Sequence, residues 1–294
     1  MLIGLVADGK GTFPNLPLMK ISAWHKAQGH IVEFVESPLK HYDRVYVSKV
    51  FGDEYTELPA YFFNADEVFE GGTGLAISVV NGREVFNKDK HSNLPPEIEH
   101  IYPDYSLYPE LTKNKAFGFL TRGCPNNCPF CIVSKKEGLS SVKVADLSEW
   151  WNGQKEIVLL DANILACRDH MALLQQLKDS GATVDYCQGL DARFINPDNA
   201  ALLSQIKTKM FHFAFDFMEN EKRIVKGLEL FKQYVSFDPR RAIVYMLTNY
   251  DTDFGDDWHR LTLIRELGYT PRCTHIPKNN TPKAAYIERF AKMV

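Results

Sequence analysis

The sequence predicts an α/β fold, because strand-like and helix-like segments alternate along most of the chain. Short apolar runs such as "LIGLVA" (2–7) and "AIVYML" (242–247) have the length and composition of buried strands. Many such runs precede a segment whose apolar residues share one helical face, as Leu173, Leu174 and Leu177 do. This alternation is typical of parallel sheets covered by helices. A chain of 294 residues is long enough for one or two domains.

The N-terminal region, residues 1–81, is predicted to form a small Rossmann-like α/β domain. It is expected to contain one helix, at 17–29, which ends at Gly29. Four strands are expected at 2–7, 31–36, 43–51 and 65–72. Residues 82–114 are polar, contain several prolines and tyrosines and show little periodicity. We predict that they form a connecting segment packed on the surface.

Residues 115–294 contain six successive pairs of a strand-like and a helix-like segment. The strands are predicted at 116–123, 156–163, 183–189, 210–216, 241–249 and 270–277. The helices are predicted at 144–153, 169–181, 197–207, 219–234, 256–268 and 282–294. Six right-handed β/α units favour a partial (β/α)6, TIM-like barrel, in which functional residues gather at the C-terminal ends of the strands.

Composition excludes several classes of protein. No apolar run approaches the about 18 residues of a membrane-spanning helix. The first residues lack a basic region and soon reach Asp8 and Lys10, so we expect no secretory signal and a cytoplasmic location. A net charge of −3 gives no general attraction to nucleic acid, but Lys135 and Lys136 leave a local basic patch open. Nucleic acid is therefore neither supported nor excluded as a partner.

Three of the six cysteines lie within "TRGCPNNCPFCIV" (121–133), with the spacing Cys124-x3-Cys128-x2-Cys131. Thiolates this close on one loop suit a soft metal or an iron–sulfur cluster. A structural zinc site would need a fourth ligand, and Cys167 and His170 form no recognisable second half of one. Three ligands would leave one iron of a four-iron cluster open. A zinc site and three incidental cysteines remain the alternatives.

This motif, "CPNNCPFC" at the end of the first predicted barrel strand, resembles the cluster motif of the radical SAM superfamily. The resemblance implies that Cys124, Cys128 and Cys131 hold a 4Fe-4S cluster whose open iron binds S-adenosylmethionine. It implies reductive cleavage of that cofactor to a 5′-deoxyadenosyl radical, which removes hydrogen from a substrate that the sequence does not identify. Phe130 would lie near the adenine. The implied electron donor is of the flavodoxin or ferredoxin type.

The second predicted barrel strand ends in "LLDAN", where many family members have a Gly-Gly-Glu turn that contacts the cofactor. That turn is absent here, and the resemblance leaves Asp161 and Asn163 as positional candidates for its role. An aspartate at this place resembles the cobalamin-associated and methylthiotransferase-like branches of the superfamily. A polar turn or a helix cap is the alternative interpretation of both residues.

Further polar residues follow the next three predicted strands. Gln188 lies at the end of the third strand and Arg193 follows that strand. Arg193 could hold a carboxylate through two hydrogen bonds or form a structural ion pair with Asp191. Asp216 and Asn249 end the fourth and fifth strands, where the family often contacts the ribose or the methionine part of the cofactor. These four residues are predicted cofactor contacts.

The N-terminal region offers two weaker patterns. "GLVADGKGT" fits a phosphate loop poorly, because Gly4 lies inside the strand and Gly11 occupies the position of the Ser or Thr. The order of elements and "GGTG" (71–74) resemble a cobalamin-binding domain that precedes the radical domain in several subfamilies. The Asp-x-His-x-x-Gly signature is absent, so cobalamin is doubtful as a cofactor and a docking or substrate-covering domain is favoured.

The predicted function is therefore that of a radical SAM enzyme with an unknown substrate. One alternative is a non-catalytic module that binds a metal or a cluster, which the missing Gly-Gly-Glu turn favours. Another is a methyl- or methylthiotransferase acting on a macromolecule. Against the methylthiotransferase, the sequence shows neither a C-terminal RNA-binding domain nor a second trio of cysteines in the N-terminal region.

Overall fold

The structure is a computed structural model that describes residues 1–8, 12–52, 58, 64–80 and 83–275. It is a mixed α/β protein with parallel sheets. The chain divides by its contacts into two compact units, Met1–Val158 and Leu159–Val294. The division predicted from composition, at residues 81 and 114, stays a prediction. In the part of the chain that is described, no helix is long and apolar enough to cross a bilayer.

The first unit begins with a four-stranded parallel sheet and one long helix. The strands are β1 Leu2–Ala7, β2 Ile31–Phe34, β3 Tyr42–Ser48 and β4 Ala65–Gly71, and the helix is α1 Leu16–Ala27. In the sheet the strands lie in the order β2-β1-β3-β4. Ile3 and Leu5 on β1 pack with Leu18 and Ile21 of the helix. The alternation predicted for residues 1–81 is confirmed for these elements, although β2 and β3 end earlier than expected.

Local sequence explains where α1 begins and ends. The Asn15 side chain accepts a hydrogen bond from the Leu18 N–H at 3.2 Å, and Pro17 occupies the first turn. The same side chain donates to the Ser48 hydroxyl at 3.0 Å, which ties the start of the helix to the end of β3. Gly29 follows the helix with a φ of 77°, a conformation that favours glycine. The predicted stop at Gly29 is confirmed.

Histidine 25 of α1 is fully buried in a polar cluster. Its Nδ1 lies 2.9 Å from Nδ1 of His30, and its Nε2 lies 3.0 Å from the Tyr46 hydroxyl. Burial lowers the pKa of His25 to about 4, and the charges of His30, Arg44 and the N-terminal amine act in the same direction. The folded protein therefore holds His25 neutral at physiological pH.

This burial predicts a pH-dependent stability. Since His25 binds a proton more weakly when folded than the ordinary histidine of the unfolded chain, the free energy of unfolding falls as the pH drops from about 6.5 towards 4. The loss at acid pH should reach about 3 kcal/mol. Urea titrations across this range measure it. A His25→Gln variant should show a flatter profile, and an identical slope in both proteins would contradict the prediction.

The rest of the first unit consists of short elements. In chain order they are β5 Ile77–Val80, β6 Arg83–Phe86, α2 Pro96–Glu99, α3 Pro109–Thr112, β7 Lys115–Gly118, β8 Thr121–Arg122, α4 Val133–Glu137, β9 Val142–Lys143 and β10 Glu156–Leu159, whose last residue begins the second unit. β5 and β6 form an antiparallel hairpin, and β8 pairs antiparallel with β9. The predicted connecting segment thus contains β6, α2 and α3.

The helix predicted at 144–153 is wrong, because the chain makes only a 3-10 turn at Leu147–Glu149. Asp146 and Glu149 cap this turn at its start, and the Trp150 N–H closes it on the Leu147 carbonyl at 3.2 Å. The Trp150 ring then lies against Gly118, where an added Cβ would come within 2.3 Å of the ring. Tertiary packing of a large aromatic side chain therefore ends the helix after one turn.

The second unit continues the alternation of strand and helix. Its elements are α5 His170–Ser180, β11 Thr183–Tyr186, α6 Pro197–Leu203, β12 Phe211–Ala214, α7 Glu221–Tyr234, β13 Ala242–Thr248, α8 Phe254–Glu266 and β14 Thr270–His275. β12, β13 and β14 are neighbours in a parallel sheet, and a single parallel bridge joins Val184 to Thr208. The predicted order is confirmed here. The helix predicted at 282–294 lies outside the described residues, and the barrel stays a prediction.

Candidate functional site

The three cysteines of the motif lie on a loop whose two ends are held together. The loop follows β8 and precedes β9, and these strands pair through Thr121 with Lys143 and Arg122 with Val142. Two residues after Arg122, the Cys124 N–H donates to the Gly138 carbonyl at 3.2 Å. The base of the loop is therefore fixed by main-chain hydrogen bonds.

Two residues of the motif need unusual backbone conformations. Gly123 has a φ of 89°, and a Cβ there would lie 2.1 Å from the Ser140 carbonyl oxygen. Asn127 has a φ of 45° and accepts a hydrogen bond from the Ser134 hydroxyl at 3.0 Å. The Cys131 N–H donates to the Cys128 carbonyl at 3.0 Å and closes a tight turn. Gly123 and Asn127 thus shape the loop around the cysteines.

The chemistry of the donor set fits an iron–sulfur cluster. Cys124, Cys128 and Cys131 are half-buried, and none of the six cysteines, all of which are described, forms a disulfide. Within the described residues, no group of three or more His, Cys, Asp or Glu side chains is placed so that it could hold a single metal ion. A cluster binds each thiolate through a different iron, so its ligands need not converge on one point. Phe130, the predicted adenine neighbour, is 37% exposed.

In the second unit the structure brings together Asn163, Asp191 and Arg193. The Asn163 amide donates to Asp191 Oδ2 at 3.1 Å. Arg193 donates to both oxygens of the same carboxylate, through Nε at 2.9 Å and Nη2 at 2.8 Å. The ion pair that was one of the two alternatives for Arg193 is therefore present. Asn163 is 2% exposed, and its contact with Asp191, 28 residues away, could not be read from the sequence.

Asp161 and the end of β11 are also buried. Asp161 is 3% exposed. Burial of the Tyr186 hydroxyl, together with the charge of Asp161, raises the pKa of Tyr186. The Cys187 thiol donates to the Leu159 carbonyl at 3.2 Å, and burial, with a contribution from Asp185, raises its pKa to about 11. Cys187 therefore stays protonated at neutral pH. The next predicted site residue, Gln188, has an exposed side chain.

Asp216 and Asn249 are held by two residues that sequence reasoning missed, Asp257 and Arg260 of α8. The Asp216 carboxylate accepts the Leu247 N–H at 2.9 Å, and its burial raises its pKa despite the nearby Arg260 and Arg193. The Asn249 N–H donates to Asp257 Oδ2 at 2.8 Å, and Asn249 has a φ of 61°. The missed residues lie three apart on an otherwise apolar helix face, which was the available signal.

Arg260 connects the C-terminal ends of two strands. It is fully buried and donates to the main-chain oxygens of Phe215, Asp216 and Leu247 at 2.6, 2.9 and 2.7 Å. Its guanidinium also pairs with the fully buried Asp257 carboxylate. These contacts fix the main chain at both predicted cofactor contacts, Asp216 and Asn249.

Two glycines of "GGTG", Gly72 and Gly74, pack against the protein's own backbone. A Cβ on Gly72 would lie 2.2 Å from the Lys49 carbonyl oxygen, and one on Gly74 would lie 2.1 Å from that of Phe51. The first strand also needs its glycine for packing, since a Cβ on Gly4 would lie 2.8 Å from Val35. Close approach within the chain explains these glycines, so they give no support for a cobalamin cradle. Residues 9–11, where the cobalamin histidine signature would continue, lie outside the described part.

Comparison with known proteins adds no relative. No protein-family model matches the chain, and no curated protein matches it closely enough to count as related.

Proposed function

We propose that the chain is a radical SAM enzyme, with an iron–sulfur cluster on Cys124, Cys128 and Cys131. The supporting observation is the three-cysteine loop, which β8 and β9 close at its base and in which no cysteine is consumed by a disulfide. The chemistry supplied by the bound 4Fe-4S cluster and S-adenosylmethionine is a reductive cleavage to a 5′-deoxyadenosyl radical that removes hydrogen from a substrate.

The chain's own residues would bind and orient these groups. In this proposal the three thiolates are the cluster ligands, Phe130 lies near the adenine, and six polar residues contact the cofactor. Those six are Asp161, Asn163, Gln188, Arg193, Asp216 and Asn249. Two sets of contacts support the proposal that these residues orient the cofactor. Asp191 fixes the Arg193 side chain, and Arg260 fixes the main chain at Asp216. The fold that accompanies this function is the partial (β/α)6 barrel.

The proposal includes two further points. The electron required for reduction comes from a flavodoxin- or ferredoxin-type donor. The protein works in the cytoplasm, where thiols stay reduced and available as ligands.

Replacing Cys128 with alanine is expected to abolish the activity. After anaerobic reconstitution with iron and sulfide, the wild-type chain should bind about four irons. With dithionite and S-adenosylmethionine it should then release 5′-deoxyadenosine, whereas Cys128→Ala should release none above background. Cys273→Ala is the matched control, because Cys273 lies outside the motif and should leave the activity intact. Equal release from Cys128→Ala and wild type would contradict the proposal.

A second candidate is a metal-stabilised module without catalysis. It is favoured by the "LLDAN" strand end, where the Gly-Gly-Glu turn is absent and Asn163 hydrogen-bonds to Asp191 of the same chain. Metal analysis separates the two candidates. One zinc per chain and no iron after reconstitution would favour the module.

A further inference from the structure

Glu137, the last residue of α4, contacts the chain immediately before the first cysteine. Its Oε2 accepts the Gly123 N–H at 3.1 Å. Its Oε1 lies 3.1 Å from Nη1 of Arg122 and 3.2 Å from Nζ of Lys136. The Glu137 side chain is 10% exposed, so these contacts are largely shielded from solvent.

The arginine that holds Glu137 is itself fixed. The Arg122 guanidinium lies over the Phe119 ring, 3.9 Å from its centroid, and Nη2 lies 3.6 Å from the Glu99 carboxylate. Arg122 also belongs to β8, where it pairs with Val142 of β9. Glu137 therefore joins the strand that leads into the cysteine loop to the helix that leads out of it.

We propose that Glu137 is a positioning residue for the iron–sulfur cluster, which orients the chain at Cys124 and places a negative charge beside the ligand loop. This inference rests on the proposed function. Partners of this kind orient metal ligands, and hydrogen bonds and net charge near a cluster set its reduction potential. No other described carboxylate accepts a hydrogen bond from Gly123.

The negative charge of Glu137 persists at neutral pH. Burial alone would raise the pKa of the carboxyl, but Lys136, Arg122 and the Gly123 N–H outweigh burial and hold the pKa below its usual value. A fixed negative charge disfavours the addition of an electron nearby. Loss of this charge should therefore make the cluster easier to reduce.

Three variants separate the hydrogen bond from the charge. Glu137→Gln keeps an acceptor for Gly123 and removes the charge, whereas Glu137→Ala removes both. Glu99→Gln is the matched control, since it removes the other carboxylate beside Arg122 and leaves the Gly123 contact in place. The measurements are iron loss to a chelator, the midpoint potential of the cluster, and hydrogen exchange of residues 121–138 in the iron-free chain.

Iron loss should be about 10-fold faster in Glu137→Ala than in wild type, and the glutamine should restore most of the retention. The midpoint potential should become more positive in Glu137→Gln but change little in Glu99→Gln. Exchange at residues 121–138 should be faster in Glu137→Ala. If Glu137→Ala fails to fold, the midpoint potential of the cluster in Glu137→Gln tests the inference instead.

Unchanged iron retention and potential in both Glu137 variants would overturn the inference while leaving the proposed function intact. If wild type itself binds no iron, the proposed function fails and the cluster role of Glu137 fails with it. Hydrogen exchange then still shows whether Glu137 orders the loop.

Discussion

Arg260→Met is expected to destabilise the protein by about 3–5 kcal/mol, because it leaves the carboxylate of Asp257 buried without its cation. Both side chains of this pair are 0% exposed. The substitution also leaves the carbonyls of Phe215, Asp216 and Leu247 without their donor. Methionine matches only the aliphatic stem of arginine, so the substitution also leaves a cavity where the buried guanidinium lay, which adds to the loss. The free energy of unfolding from urea titration measures the loss.

Arg240→Met is the matched control for this substitution. Arg240 also pairs with an aspartate close in sequence, Asp238, but its side chain is 87% exposed. Exposed ion pairs contribute little to stability, so the midpoint of unfolding should not move measurably. Equal midpoints for Arg260→Met and wild type would show that the buried network does not stabilise the ends of β12 and β13.

Gly227→Ala is also expected to destabilise the protein, although alanine is the better helix former by about 1 kcal/mol. Gly227 is buried in α7, and a Cβ there would lie 1.9 Å from the Ala192 carbonyl oxygen. Main-chain atoms cannot rotate away, so α7 must shift, which typically costs about 1–3 kcal/mol in a packed core. Urea titration should show the loss.

The neighbouring exposed residue supplies the control for Gly227. Lys226→Ala changes the same helix turn without touching the 3-10 turn at Ala192–Phe194, and its unfolding midpoint should stay within error of wild type. Because that turn contains Arg193, a shift of α7 should also weaken the contacts of Arg193 with Asp191. A Gly227→Ala protein as stable as wild type would contradict the close approach.

Much of the fold could be predicted because its signals are local. The apolar run of β1, the stop at Gly29 and the left-handed Gly181 after α5 each depend on a few adjacent residues. The helix predicted at 144–153 failed for a non-local reason, since the Trp150 ring packs on Gly118. Sequence periodicity carries no information on that contact.

In the candidate site, too, local features could be predicted from the sequence and long-range contacts could not. The cysteine spacing is local, so the three proposed ligands could be named from sequence alone. The contacts that hold the other residues join distant positions, such as Asn163 with Asp191 and Arg260 with Phe215. A charged residue on a helix is ordinarily exposed, which is why the sequence did not single out the fully buried Arg260.

Electron paramagnetic resonance of the reconstituted, dithionite-reduced protein, with and without S-adenosylmethionine, tests directly whether the three cysteines hold a cluster with an open iron. We expect the signal of a reduced four-iron cluster whose line shape changes when the cofactor is added, because the three cysteines leave one iron open. Cys124→Ala should lose the signal, and Cys273→Ala should keep it. A wild-type protein that shows no iron signal, or one that S-adenosylmethionine does not change, would contradict the account.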